Sequence, residues 1–227
     1  LISGKYYQAV YNSFMGRGNS KRKQFVEIQE IRTRSKASST LQGKLVILCG
    51  VPGSGKSTWT KKLLAADPNT IVVSSDSIRK EVFSSLREAN NSQEENMTKK
   101  KNHKKKKKKK KKIFAIFHSR INKGLGENKT VVADATNLNA FSRKKLSKIA
   151  TDNNAQVEIA LFENSEQALI WNKERDPDQI VPDHAMQRML KNYSKSLSQI
   201  EDEEYDSVVR IRVDREPQDK PVVTQEQ

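Results

Sequence analysis

The sequence contains a single cysteine and no long apolar run. Cys49 is the one cysteine among 227 residues, so an internal disulfide is excluded and an oxidising compartment has no support. The longest apolar stretches, such as residues 45–49, fall far short of the roughly 18 residues that predict a membrane span. We therefore expect a cytoplasmic protein without a membrane anchor in this sequence.

Acidic residues are scarce beside basic ones, but the imbalance is local. The chain has 43 Lys and Arg against 27 Asp and Glu, a net charge of +16, and twelve of the lysines lie within residues 99–112. Without that tract the surplus falls to +4, so a basic face over the whole domain is not predicted. Adjacent ammonium groups repel each other, which predicts a solvated, disordered insert. Three interpretations stay open: an inert charged linker, a non-specific polyanion tether, or the product of a mistranslated adenine tract.

Apolar blocks alternate with helical patterns from residue 44 onward, as in βαβ units. This predicts an α/β fold of the P-loop NTPase type, with a parallel sheet of about five strands flanked by helices. Residues 1–43 form an aromatic and basic extension with a linker, in which Phe25, Ile28 and Ile31 follow helical spacing. This extension could pack as an amphipathic arm or contact nucleic acid. The predicted domains are 1–43, 44–213 and a flexible tail at 214–227.

A glycine-rich motif gives the strongest chemical signal. Residues 50–57 read GVPGSGKS, which fits G-x-x-x-x-G-K-[ST] between a predicted strand and a predicted helix. Loop amides of this kind cradle phosphates, Lys56 reaches the β and γ phosphates, and Ser57 ligates Mg²⁺. The predicted cofactors are ATP, or another NTP, and Mg²⁺. The predicted nucleotide-binding residues are Gly50, Pro52, Gly53, Ser54, Gly55, Lys56, Ser57 and Thr58.

Two further carboxylates follow predicted strands, where ligands bind in open α/β sheets. Asp76 and Arg79 lie three residues apart on a predicted helix, so they share a face. Asp76 could accept the proton of an attacking hydroxyl while Arg79 holds an acceptor phosphate, or Asp76 could simply cap the helix. Asp134 could hold Mg²⁺ or form a turn.

The set GVPGSGKSTW, SSDSIR, ADATNLN and NKERDPDQIVPD resembles the 5′-hydroxyl polynucleotide kinase family over about residues 44–213. The resemblance implies transfer of the γ-phosphoryl of ATP to 5′-OH ends of DNA or RNA in nucleic-acid repair. It makes Asp76 the general base and Arg79 the arginine at the reaction centre, and it makes Arg175 a lid arginine on the donor phosphates. Further positions that match family motifs are Asp134, Thr136, Asn137, Asn172 and Lys173.

The chain also departs from this family. Trp171 stands where the phage member carries a further lid arginine, and Asp176-Pro177-Asp178 follows no apolar strand, so no 3′-phosphatase is expected. Two alternatives therefore remain. One is a zeta-toxin-like or antibiotic-modifying kinase of a small hydroxylated molecule, and the other is a nucleotide- or RNA-binding module with decayed catalysis. The expected partner is nucleic acid with a 5′-OH end, and the oligomeric state is left open.

Overall fold

The apolar blocks form one six-stranded sheet in the computed structural model, which describes residues 24–33, 43–90, 99–163 and 165–215. The strand order is β1-β6-β5-β2-β4-β3. Strands β2 to β6 are parallel, and β1 pairs antiparallel with β6. The predicted five-stranded parallel sheet is thereby confirmed. The strands are β1 (Gln24–Thr33), β2 (Lys44–Cys49), β3 (Ile71–Ser74), β4 (Thr130–Asp134), β5 (Gln156–Phe162) and β6 (Ser207–Arg215).

Helices cover both faces of the sheet, which is why the central strand β2 is buried almost along its whole length. Leu45, Ile47 and Cys49 pack into the core of one face, and Val46 and Leu48 pack into the core of the other. Within the described residues, no helix combines the length and the apolarity needed to cross a bilayer. The helices are α1 (Lys56–Ala66), α2 (Ser75–Asn90), α3 (Lys99–Gly126), α4 (Ala140–Asp152), α5 (Gln167–Lys173) and α6 (Asp183–Asp202), with a 3₁₀ turn at Pro177–Gln179.

The N-terminal extension contributes a strand, so the helical spacing expected there was wrong. A bulge between Glu30 and Arg32 adds one residue to β1 relative to β6. That extra residue breaks the period of two, and the step from Ile28 to Ile31 then imitates helical spacing. The other parts of the extension and linker, 1–23 and 34–42, lie outside the described residues, as do residues 216–227 of the predicted tail.

The lysine tract is helical, which corrects the expected disordered insert at 99–112. It forms the first half of α3, whose second half is anchored by Ile113, Phe117, Ile121 and Leu125 in the core. Lysine is a good helix former, and extending an anchored helix avoids the cost of nucleation. The anchored half therefore supplies the nucleus that the tract alone lacks.

Phe117 tests the anchor of α3. Its side chain is fully buried and packs edge-on against Phe114, with 5.8 Å between ring centroids. We expect Phe117→Ala to lower the free energy of unfolding by about 3–5 kcal/mol, through lost burial and a cavity. Phe141→Ala is the matched control, because that ring is 76% exposed, and it should change stability by less than about 0.5 kcal/mol. Urea denaturation measures both, and equal losses would contradict the assignment of Phe117 to the core.

Candidate phosphate-binding site

The glycine-rich loop connects β2 to α1 at the carboxyl edge of the sheet, as its spacing predicts. Gly53 and Gly55 have φ of +82° and +94°, a conformation that residues with a Cβ rarely adopt. A Cβ on Gly53 would also lie 2.7 Å from the carbonyl oxygen of Ala168 in α5. The loop therefore needs glycine at these positions for its own turn and for its approach to the neighbouring helix.

Lys56 lies at the centre of the loop. Its buried ammonium donates hydrogen bonds to the carbonyl oxygens of Val51 at 2.6 Å and Gly50 at 3.0 Å, and to Ser54 Oγ at 3.3 Å. Burial lowers the pKa of Lys56 to about 8, because the charged form loses its hydration. The ammonium is therefore held by the oxygens of the loop in a place where phosphate oxygens could replace them.

Three other predicted residues carry charges that shift the pKa of Lys56. The charges of Asp134 and Asp76 raise the pKa of Lys56, and the charge of Arg175 lowers it, against the larger effect of burial. These charges act on the Lys56 ammonium from β4, α2 and the segment after α5, and such effects weaken with distance.

The first turn of α1 is open to an anion. Its N-cap, Gly55, offers no side chain to the free amides, and no acidic residue lies in the first turn. In α4, by contrast, Asn139 accepts a hydrogen bond from the backbone N–H of Phe141 at 2.8 Å. The positive end of the α1 dipole is thus left for a phosphate, beside the exposed hydroxyl residue Ser57 and the partly buried Thr58 and Pro52.

Asp134 ends β4, in register with Ser74 at the end of β3. Burial raises the pKa of the Asp134 carboxyl, while the Lys56 ammonium and a hydrogen bond from Ser74 oppose that rise. A partly desolvated carboxylate at the same sheet edge as the P-loop hydroxyl residue suits Mg²⁺, which takes few protein ligands and keeps water and phosphate oxygens as the others. The residues present therefore fit the metal that the motif implies.

Asp76 and Arg79 lie in the first two turns of α2 and form an ion pair. Both side chains are largely open to solvent, with Arg79 48% and Asp76 62% exposed. The predicted shared face is therefore present, and the pair stands where a ligand can reach it. The guanidinium is engaged by the neighbouring carboxylate rather than by the P-loop.

Thr136 and Asn137 fasten the loop after β4 to the P-loop. The backbone N–H of Gly50 donates to the carbonyl of Thr136 at 3.1 Å. Asn137 is buried with φ of +45°, and its Nδ2 donates to the carbonyl of Leu48 at 2.8 Å and of Ala133 at 3.2 Å. These contacts give Asn137 a positioning role, and its amide is already occupied by protein groups.

The segment from α5 to α6 carries the predicted lid residues, which differ in exposure. Asn172 is buried, and its side-chain amide makes two hydrogen bonds with the backbone of Val181, at 2.8 and 3.1 Å. Lys173 is exposed, whereas Arg175 is partly buried with Nη2 3.4 Å from Oε1 of Gln179. Trp171 is buried. Of these predicted residues, Lys173 and Arg175 remain accessible to a ligand, and Lys173 lines an open groove of about 420 Å³ between α5 and α6.

A buried ion pair behind the loop escaped sequence reasoning. The fully buried guanidinium of Arg143 donates to both carboxylate oxygens of Glu203, at 2.8 and 2.6 Å, and to the carbonyl of Asn137 at 3.0 Å. The signal was present, since Arg143 lies on the same α4 face as Leu146 and Ala150, both in the core. A charged residue at a core position of an amphipathic helix indicates a buried partner.

Together, the loop, the buried lysine and the carboxylate at the sheet edge define a P-loop nucleotide-binding domain of the kinase-like type. The family model AAA_33, described as an AAA domain, matches residues 45–196, and the chain belongs to this family. This membership implies nucleotide binding, usually with Mg²⁺.

The solved structures that match this chain have low sequence identity to it. A chain of the Pnkp1/Rnl/Hen1 RNA repair complex is 18% identical with a TM-score of 0.55, and the match covers 86% of this chain and 55% of that one. A chain of the PezAT toxin–antitoxin system of Streptococcus pneumoniae is 18% identical with a TM-score of 0.42, covering 74% of this chain and 66% of that one. The search of curated proteins found no match. The first likeness shows the fold alone.

The lowered pKa of Lys56 predicts how nucleotide affinity depends on pH. Above pH 8 the free protein loses the ammonium proton, and triphosphate binding must then take one up, so ATP affinity should fall by up to tenfold per pH unit between pH 8 and 9.5. Calorimetry in buffers of different ionisation enthalpy measures both the affinity and the proton uptake. Lys61→Ala, on the same helix but exposed, should keep this profile. A constant affinity up to pH 9.5 would contradict the assignment.

The Arg143–Glu203 pair predicts a specific loss of stability. Arg143→Met removes the guanidinium that pairs with Glu203 and should lower the free energy of unfolding by about 3 kcal/mol. The double variant Arg143→Met/Glu203→Gln should recover part of that loss, because the uncompensated charge is removed. Arg188→Met, on the exposed side of α6, is the control and should be nearly neutral. Additive losses in urea denaturation would show that the pair is not coupled.

Proposed function

We propose that this protein is an ATP-dependent polynucleotide 5′-hydroxyl kinase. The observation that carries the proposal is the placement of the exposed Asp76–Arg79 pair directly after β3, at the same carboxyl edge of the sheet as the buried Lys56 ammonium and the Asp134 carboxylate. A donor triphosphate needs the ammonium, and an attacking hydroxyl needs a carboxylate beside it. A nucleotide-binding module without catalysis would need only the first of these.

The donor side follows from the loop. The backbone N–H groups of Gly53 and Gly55 and of the first turn of α1 bind the β-phosphate, and Lys56 exchanges its carbonyl partners for β and γ oxygens. Ser57 and Asp134 would hold Mg²⁺, which would supply charge neutralisation for the donor phosphates. Arg175 and the exposed Lys173 contact the donor from the lid segment, and the buried Trp171 adds no charge there.

The acceptor side uses the α2 pair. Asp76 orients the 5′-hydroxyl and takes its proton as the new O–P bond forms, and the bond from the γ-phosphorus to the bridging oxygen breaks to release ADP. Arg79, now paired with Asp76, turns its guanidinium to the acceptor phosphate or to the transferring group. Exposure of both side chains supports this role, since the 5′ end of a polynucleotide has room to approach them.

A likeness in fold to a chain of an RNA repair complex agrees with a polynucleotide acceptor. The chain spans 55% of the length of that chain, so any further activity of a larger assembly lies outside the proposal. The rival acceptor is a small hydroxylated molecule. Competition between a 5′-OH oligonucleotide, as RNA and as DNA, and a panel of sugars, nucleosides and amino sugars for labelled γ-phosphate distinguishes the two. Preferred labelling of a sugar would overturn the polynucleotide assignment.

The α2 carboxylate gives the sharpest test of the mechanism. Asp76→Ala should lower the rate of transfer by at least about 100-fold while ATP binding survives, because the base is lost and the donor cradle stays. Lys56→Ala should lose both transfer and tight ATP binding. Glu81→Gln, on the same helix and 57% exposed in its pair with Arg120, is the control for a lost α2 carboxylate. Wild-type turnover in Asp76→Ala would remove the proposed base.

A further inference from the structure

The lysine-rich half of α3 extends beyond the carboxyl edge of the sheet. Helix α3 returns to β4 through a three-residue turn, and a Cβ added to its Gly124 would lie 2.8 Å from Val131 and 3.2 Å from Ile71, at the start of β4 and β3. Ile113 lies eleven residues earlier in the helix, about 16 Å along its axis, whereas β4 rises only about 13 Å. Residues 99–112 therefore continue for about another 20 Å past the edge that carries Asp134 and the P-loop.

This half of α3 is a rod of one charge sign. No Asp or Glu occurs in residues 99–126, and twelve of the fourteen residues in 99–112 are lysine. The side chains of Lys108, Lys110, Lys111 and Lys112 are exposed. Lysines one turn apart repel each other, and the positive end of the helix dipole adds to that repulsion. A ligand with regularly spaced negative charges relieves both effects.

The chemistry of the tract selects the kind of ligand. Besides lysine it contains only Asn102 and His103, so it offers no apolar face of the sort that inserts into a lipid interface. Its length of about 20 Å exceeds what one nucleotide can contact. An extended phosphodiester chain matches both the length and the charge.

We propose that residues 99–112 form a docking arm for the phosphodiester backbone of the polynucleotide acceptor, a proposal that rests on the function given above. The arm binds the strand downstream of its 5′ end and raises the local concentration of that end at Asp76. It contacts phosphates and not bases, so it adds affinity without sequence preference. A long acceptor therefore benefits from the arm, and a dinucleotide does not.

Substitution of Lys108–Lys112 by Gln tests the arm, because Gln keeps the helix propensity and removes five charges. The matched control replaces five exposed lysines elsewhere by Gln: Lys61, Lys144, Lys145, Lys191 and Lys195. Binding of a 20-nucleotide single strand, measured without ATP between 50 and 300 mM salt, should weaken about tenfold in the arm variant. The slope of log K against log salt should fall by up to about 3.5, and the control should keep both values.

Two further measurements separate the arm from the kinase reaction and from other partners. In transfer assays the arm variant should show about a tenfold higher KM for the 20-mer, with kcat unchanged and with the KM for a 5′-OH dinucleotide unchanged. Replacement of Lys108–Lys112 by Arg keeps the five charges and should leave these KM values as in the wild type. If no 5′-OH acceptor is phosphorylated but the binding loss is confined to the arm variant, the proposed function fails and the arm stands.

The arm proposal is overturned if both variants lose oligonucleotide binding equally, since net charge would then be the cause. It is equally overturned if neither variant loses binding. A third contradicting result is loss of binding to vesicles of anionic phospholipid together with unchanged oligonucleotide binding, which would make the tract a lipid-binding segment.

Discussion

The site depends on burying one ammonium group inside a ring of backbone oxygens. Lys56 can occupy that position because β2, packed on both faces, fixes the start of the loop, and because glycines let the loop close around the side chain. Burial makes the ammonium lose hydration, which its present partners restore only in part. Phosphate oxygens accept charge-assisted hydrogen bonds, which are stronger than those of neutral carbonyls, so the position of Lys56 agrees with the nucleotide binding that the family implies. The carboxylates of β4 and α2 lie at the same edge of the sheet as this charge, and both raise the pKa of Lys56 against the effect of burial.

An ion pair and a set of hydrogen bonds between α4, α6 and the loop after β4 keep the P-loop in place. Arg143 forms an ion pair with Glu203 and donates a hydrogen bond to the carbonyl of Asn137. The side chain of Asn137 donates to the carbonyl of Leu48 in β2, and the carbonyl of Thr136 accepts from the N–H of Gly50. This chain of hydrogen bonds joins the end of α6, through α4, to the phosphate cradle. The end of α6 is therefore connected to the P-loop through a continuous set of hydrogen bonds.

Local patterns predicted the parallel sheet, the P-loop and the carboxylates at strand ends, because each is encoded within a few neighbouring residues. The structure departs from prediction where a partner is distant. Strand β1 was read as helical since its bulge is visible only beside β6, and the lysine tract was read as disordered since the apolar residues that nucleate its helix lie after it. Arg143 was missed because Glu203 is 60 residues away. Asn172, expected near the ligand, instead fastens Val181.

The close approach of Gly53 to Ala168 has an evolutionary consequence. Because a methyl group at position 53 would meet the α5 backbone at 2.7 Å, no side chain can be accepted there unless that helix retreats. The distance between the P-loop and α5 therefore requires that residue 53 has no Cβ. Amino-acid substitutions can accumulate on the exposed surface of α5, as at Ile170. A substitution that moves α5 away from the P-loop, by contrast, requires a simultaneous change in the loop.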